Sequence, residues 1–218
     1  MIKAVIFDFD GLILDTETHQ YEALVEIFKE NGSVLPLPIW QKVIGTSSDF
    51  KPFKYLEEQT KKKHNQQQLE DLLKERFHSR LVSEKARPGV EDYLAAAHSL
   101  GLKIALASSS NFEWVSTHLK NLGLFEKFEC IRTSDDVEKV KPDPALYLKA
   151  AKCLGVEPEE CLVFEDSANG ALAAKNAGMS CVIFPNQVTQ DLEFCEVNHR
   201  LESMAEMELE KLIDLVQK

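Results

Sequence analysis

An alternation of short apolar runs with helical patterns limits what this chain can fold into more than any other feature. Apolar runs at 102–107, 128–132, 161–164 (Cys-Leu-Val-Phe) and 180–184 take turns with helical patterns at 90–99, 113–122, 144–154 and 168–177. Gly123, Gly155 and Gly178 follow the last three patterns, and a glycine just past a helix is a stop signal because it tolerates left-handed backbone. Strands separated by helices pair in parallel, and a parallel sheet needs cover on both faces. The expected fold class is therefore α/β: a Rossmann-like parallel sheet with helices on both faces.

One more apolar run, residues 3–9 (Lys-Ala-Val-Ile-Phe-Asp-Phe), stands apart from the others near the N-terminus and stops at Asp10-Gly11. Between it and the alternation, residues 16–85 carry helical patterns and no strand pattern. These cover 18–31, 50–63 and 67–82, the last with Leu69, Leu72, Leu73, Phe77 and Leu81 on one face. Arg87-Pro88-Gly89 punctuates the return. The expected organisation is a discontinuous core, 1–15 and 86–218, with a small all-helical domain inserted at 16–85. Hinges are expected near 14–18 and 83–88. Lys61-Lys62-Lys63 is read as the solvated end of the 50–63 helix, and Trp40 and Trp114 as packing residues.

With 218 residues, 44% of them hydrophobic, the chain can bury a proper core. Its formal net charge of −11 repels nucleic acid and anionic lipid, so neither is an expected partner. No apolar run approaches membrane-spanning length, and the N-terminus enters a strand without a signal-peptide pattern, which makes the cytoplasm the expected location. Five cysteines, odd in number and without a Cys-x-x-Cys pair, are read as ordinary buried thiols.

In open α/β sheets ligands bind beyond the C-terminal strand ends. Four polar clusters fall there. Asp8 and Asp10 stand two positions apart at the end of the first strand, so their like charges point the same way and call for a cation such as Mg²⁺. Ser108-Ser109-Ser110-Asn111 offers hydroxyls and backbone N–H groups to an oxyanion. Lys141 sits in a segment stiffened by Pro142 and Pro144 and supplies a compact positive charge. Glu165-Asp166-Ser167 follows a fully apolar strand and gives a second carboxylate set. Taken singly, each also fits a helix cap, a solvated turn or a surface lysine. Taken together around one crevice they suit phosphoryl transfer, which depends mostly on positioning and charge neutralisation.

In this order the residues Asp8-Phe9-Asp10-Gly11-x-x-x-Asp15-Thr16-Glu17, Ser108, Lys141-Pro142 and Glu165-Asp166-Ser167 resemble the four motifs of the haloacid dehalogenase superfamily. The resemblance runs the length of the chain, with the insertion similar to that family's cap domain. It is nearest to the β-phosphoglucomutase-like and phosphoglycolate-phosphatase-like branch. It implies a Mg²⁺-dependent phosphatase acting on a small phosphorylated metabolite through an aspartyl-phosphate. Asp8 would be the nucleophile and a metal ligand. Asp10 would be the acid and then the base, and would bind Mg²⁺ through its backbone carbonyl. Ser108 and Lys141 would hold the phosphoryl group, with Ser109 beside them in the cradle. Asp166 would complete the metal site, and Glu165 would act from behind it or through a water.

Two other readings stand beside this one. A β-phosphoglucomutase-type mutase would carry a histidine on the first cap helix and an arginine in a cap loop. Here His19 falls one position early, and the loop Ile44-Gly45-Thr46-Ser47-Ser48-Asp49 has serine at the arginine position. A catalytically inactive phosphate-binding protein is opposed by the filled charged positions.

Overall fold

A computed structural model of the chain describes residues 1–46 and 49–217. Among the described residues one sheet holds six strands: β1 (Ala4–Phe7), β2 (Lys103–Ala107), β3 (Cys130–Arg132), β4 (Cys161–Glu165), β5 (Ser180–Ile183) and β6 (His199–Arg200). All pairings are parallel, in the order β3-β2-β1-β4-β5-β6. The chain leaves β1 in one direction across the sheet and returns to the other side of it at β4. The crevice where strand order reverses lies beside β1.

Period-two alternation in the strands builds two cores. Val5 and Phe7, Ile104 and Leu106, and Leu162 and Phe164 face α5 (Val90–Ser99), α6 (Phe112–Asn121) and α9 (Leu209–Val216). Ala4 and Ile6, Ala105 and Ala107, and Cys161 and Val163 face α7 (Ala145–Leu154) and α8 (Ala168–Asn176). Behind the strand ends, Phe164 makes edge-to-face contacts with Phe7 at 4.9 Å, Tyr93 at 5.5 Å and Phe184 at 5.8 Å between ring centroids. Such pairs add about 0.5–1.5 kcal/mol each beyond burial. Asp8, Glu165 and Pro185-Asn186 follow these rings directly in sequence, so the aromatic cluster fixes the positions from which the polar residues start.

Among the described residues, four α-helices lie between β1 and α5: α1 (Thr16–Glu30), α2 (Leu37–Trp40), α3 (Pro52–Thr60) and α4 (Gln66–Leu81). They close over a core built from their own Leu24, Ile27, Phe28, Trp40, Phe53 and Leu56, which Val188 joins from outside the bundle. The residues where the chain enters and leaves this bundle are tied together by His19 Nε2 and Glu84 Oε2, 3.0 Å apart.

The structure departs from the sequence reading in four places. Helix α3 stops at Thr60, where Lys61 turns to φ 57°, so the three lysines are exposed but lie past the helix. The short α2 lacks enough turns to show a period, and α9 and β6 lie beyond the last element read from the sequence. Cys130 and Cys153 are joined in a disulfide, with Cα atoms 6.4 Å apart, which corrects the reading of all five cysteines as thiols. Helix α7 lies across β3 and brings these two positions together, a proximity that linear spacing does not show. Cys161, Cys181 and Cys195 are free. No described helix is long and apolar enough to cross a membrane.

Candidate active site

Strand register brings the polar clusters together. Phe7 pairs with Leu106 on one side and with Phe164 on the other, so Asp8 stands level with Ala107, the residue before Ser108, and with Glu165. The Asp8 amide donates to the Phe164 carbonyl at 3.0 Å, which continues the ladder to the catalytic rim. Asp8, Lys141, Glu165 and Asp166 are 6%, 1%, 0% and 1% exposed, a concentration of charge that only mutual pairing or a cation can hold.

Lys141 is the centre of that pairing. Its Nζ donates to Asp8 Oδ1 at 2.5 Å and to Glu165 Oε1 at 2.7 Å, and lies 4.9 Å above the Tyr147 ring. Burial alone would push this amine down, but Asp8 and Glu165 outweigh it and hold Lys141 charged well above neutrality. Glu165 has both oxygens engaged. Oε1 also accepts from the Tyr147 hydroxyl at 2.6 Å, and Oε2 accepts from the amides of Asp166 and Ser167 and from the Ser167 hydroxyl. Glu165 therefore aims the lysine.

Asp166 is arranged differently. Asn186 Nδ2 donates to its Oδ2 at 2.7 Å, while Oδ1 is buried with no partner among the described residues. Oxygen atoms of Asp8, Glu165 and Asp166 lie within 4.8 Å of one another. Burial pushes the Asp8 carboxyl up to about 8 against the pull of Lys141, and burial together with Glu165 and Asp8 pushes Asp166 well up. An orphaned oxygen in an all-carboxylate cluster fits a hard divalent cation, which would relieve both shifts. Gly11 makes this approach possible. Its φ is +79°, and a Cβ there would fall 2.2 Å from Asp166 Oδ2.

Asp10 lies beside this cluster. Its Oδ1 accepts from Thr16 Oγ1 at 3.0 Å and from Trp114 Nε1 at 2.9 Å. Its Oδ2 accepts from Ser110 Oγ at 2.6 Å and from Ser108 Oγ at 3.4 Å. Ser109 is placed elsewhere: its hydroxyl donates to the Gly45 carbonyl at 3.2 Å, on the inserted bundle. Asn169 Nδ2 donates to the Ile44 carbonyl at 2.8 Å, and Gln41 Nε2 to the Val188 carbonyl at 2.9 Å. Three side chains thus bridge bundle and core beside the site. Ser47 and Ser48, where the mutase comparison places an arginine, lie outside the described residues.

Several contributors were given no chemical role from sequence. Tyr147 and Trp114 occupy helix positions that read as packing. Asn186 follows an apolar strand, as the four clusters do, and that same rule applied to a fifth strand end finds it. Glu17, half-buried at this rim, is pushed up to about 8 by burial and by Asp10, Asp8 and Asp15. Arg87 donates to the carbonyls of Gly11, Phe184 and Pro185 and pins the loops that carry Asp10 and Asn186.

Comparison with known proteins shows the family. A family described as haloacid dehalogenase-like hydrolase matches residues 5–184. The Bacillus subtilis (strain 168) protein named "Putative phosphatase YhcW" is 68% identical over 214 residues, covering 98% of this chain and 97% of that protein. The phosphorylated carbohydrates phosphatase of Thermotoga maritima is 34% identical over 183 residues, 82% of each chain. Among solved structures, CbbY from Rhodobacter sphaeroides in complex with phosphate superposes with a TM-score of 0.73 at 29% identity, covering 94% of this chain and 96% of that one.

Proposed function

The chain belongs to the haloacid dehalogenase-like hydrolases and is a phosphatase of that family, and from this premise we propose that it hydrolyses a small phosphomonoester metabolite through an aspartyl-phosphate on Asp8, with Mg²⁺ as cofactor. The observation that carries this reading is the buried triad of Asp8, Lys141 and Glu165 beside the unpartnered Asp166 oxygen.

Asp8 attacks phosphorus as the bond to the ester oxygen breaks, and Asp10 gives that oxygen its proton. Water then attacks the aspartyl-phosphate and yields a proton to the now ionised Asp10, which frees phosphate and restores Asp8. Lys141 offsets the repulsion between a carboxylate and a phosphate ester, and Glu165 holds its ammonium in line. Ser108, buried at the end of β2, lends its hydroxyl and the following amides to the phosphoryl oxygens. Asp8, Asp166 and the Asp10 backbone carbonyl would hold Mg²⁺, whose charge would add to the neutralisation that Lys141 provides.

We assign the inserted bundle the role of a cap over the core at 1–15 and 86–218. The contacts of Ser109, Asn169 and Gln41 support this, since they span the cleft and would break on opening. His19 is committed to Glu84, which favours water over a sugar phosphate as the acceptor. The likeness to a phosphatase of phosphorylated carbohydrates supports a sugar or polyol phosphate as the substrate class.

Purified protein with Mg²⁺ is expected to release phosphate from p-nitrophenyl phosphate. Excess EDTA and Asp8→Asn should each abolish release. Intact-mass analysis of acid-quenched wild type should show a phosphorylated species that Asp8→Asn lacks. An Asp8→Asn variant as active as wild type overturns the assignment.

A further inference from the structure

We propose that Trp114 is a positioning residue for the acid–base step, fixing which oxygen of Asp10 faces the leaving group. The inference rests on the reading of Asp10 as proton carrier in the proposed reaction and goes beyond it to a residue outside the four motifs.

The argument comes from hydrogen-bond polarity. The indole N–H of Trp114 is 2.9 Å from Asp10 Oδ1, and an indole N–H can only donate. The carbonyl oxygen of a protonated carboxyl accepts such a hydrogen bond better than its hydroxyl oxygen does. The indole therefore favours Oδ1 as the carbonyl and Oδ2 as the oxygen that carries the hydrogen when Asp10 is protonated. That oxygen faces the hydroxyls of Ser110 and Ser108, 2.6 Å and 3.4 Å away, and hydroxyls can turn to accept as readily as to donate. Ser108 is the residue assigned above to the phosphoryl oxygens, and its hydroxyl touches Oδ2, so Oδ2 is the oxygen on the phosphoryl side. Thr16 Oγ1, 3.0 Å from Oδ1, completes the partners of the oxygen turned away from the phosphoryl side.

The indole is itself held in place. Its amide donates to the side chain of the helix cap Asn111. Its ring stacks on Phe77 at 5.8 Å with planes 20° apart and meets His118 edge-on at 4.1 Å. Phe77 belongs to α4 of the inserted bundle, so the carboxylate orientation is supported from the bundle as well as from the core.

The test compares two aryl esters. Phenoxide is a stronger base than p-nitrophenoxide and needs protonation more as it leaves. Trp114→Phe keeps an aromatic ring and removes the N–H. Its kcat/KM is expected to fall about tenfold or more on phenyl phosphate and less than about threefold on p-nitrophenyl phosphate. A variant that merely loosened the fold would lose equally on both. Asp10→Asn, run alongside, should show the same split more strongly. If Asp10→Asn shows no split, the role of Asp10 itself fails. If it does and Trp114→Phe loses equally on both esters or on neither, the assignment of Trp114 is overturned. Should Trp114→Phe fail to fold by circular dichroism, Phe77→Leu keeps the N–H and removes its stacking partner. The same selective loss, smaller in size, is then expected, and an equal loss on both esters overturns the proposal.

Discussion

Lys141 Nζ stands 2.5 Å from Asp8 Oδ1 although 133 positions separate the two residues in sequence. Neither is tolerable alone at its depth, because an unpaired buried charge costs several kcal/mol. Function and folding are thus joined at one contact: the cation proposed to offset the charge of the phosphoryl group also makes the burial of the proposed nucleophile possible.

Removing that cation should be felt twice. Lys141→Met leaves Asp8 and Glu165 facing each other without a counter-charge. Urea unfolding is expected to show a loss of about 3–5 kcal/mol. In whatever protein remains folded, kcat/KM on p-nitrophenyl phosphate should fall by at least about a hundredfold. A Met variant that stays active would separate Lys141 from catalysis.

Asp8 gives the metal-free protein a defined pH response. Its folded value of about 8 exceeds the ordinary 3.8, so the protonated form is favoured by folding. The stability this contributes is complete below about pH 4 and is lost as pH rises through about 8. In EDTA, the Tm of wild type should fall between pH 5 and pH 8 by more than that of Asp8→Asn, which has nothing to ionise at position 8. Mg²⁺ should raise the Tm more at pH 8 than at pH 6, because it displaces a proton at the lower pH. Parallel curves for wild type and variant would remove Asp8 as the cause.

Tyr147→Phe tests the support behind the lysine. The hydroxyl lies 2.6 Å from Glu165 Oε1, and both are fully buried. Losing a hydrogen bond to a charged group should cost about 1.5–3 kcal/mol in denaturant unfolding. The rate should fall less than in Lys141→Met, since Glu165 keeps its amide donors. A neutral Phe variant would show that the Ser167 side of the network suffices.

The bundle-to-core contact gives a fourth prediction. A Cβ at Gly45 would stand 2.4 Å from Ser167 Oγ, and the residue sits at φ +73°. Gly45→Ala should therefore prevent the loop from docking. We expect kcat/KM to fall about tenfold or more while Tm changes little, because the bundle keeps its own core. Asn169→Ala, which removes only the bond to the Ile44 carbonyl, should give a smaller loss in the same direction.

What the sequence revealed followed from short-range rules. Strands β1 to β5 are short apolar runs and the long helices show a period of about 3.6, several of them closed by a glycine, so pattern alone locates them. The four clusters were visible because strand ends in a parallel sheet are few and polar residues there stand out. Among the missed features, α2 and β6 are too short to show a period and the Cys130–Cys153 bond depends on packing, whereas α9, with Leu209, Leu212, Ile213 and Val216 on one face, was legible but lies beyond the last element read. Tyr147 and Trp114 were hidden for another reason. Each is an aromatic residue at a helix position that suits packing, and only three-dimensional placement aims its polar atom at a carboxylate. Ser109 reverses the case: it sits in a legible cluster but is turned toward Gly45.

Ser109 and Asn169 grip the inserted loop by the main-chain oxygens of Gly45 and Ile44. A latch that holds only carbonyls is indifferent to most of the side chains beside it. At these two positions the grip falls on main-chain oxygens and makes no demand on side-chain identity, apart from Gly45, where no side chain fits. A grip of that kind would let nearby side chains change with the ester while the proposed cap still closes, so that a single scaffold could diverge toward many metabolites without relearning how to exclude solvent.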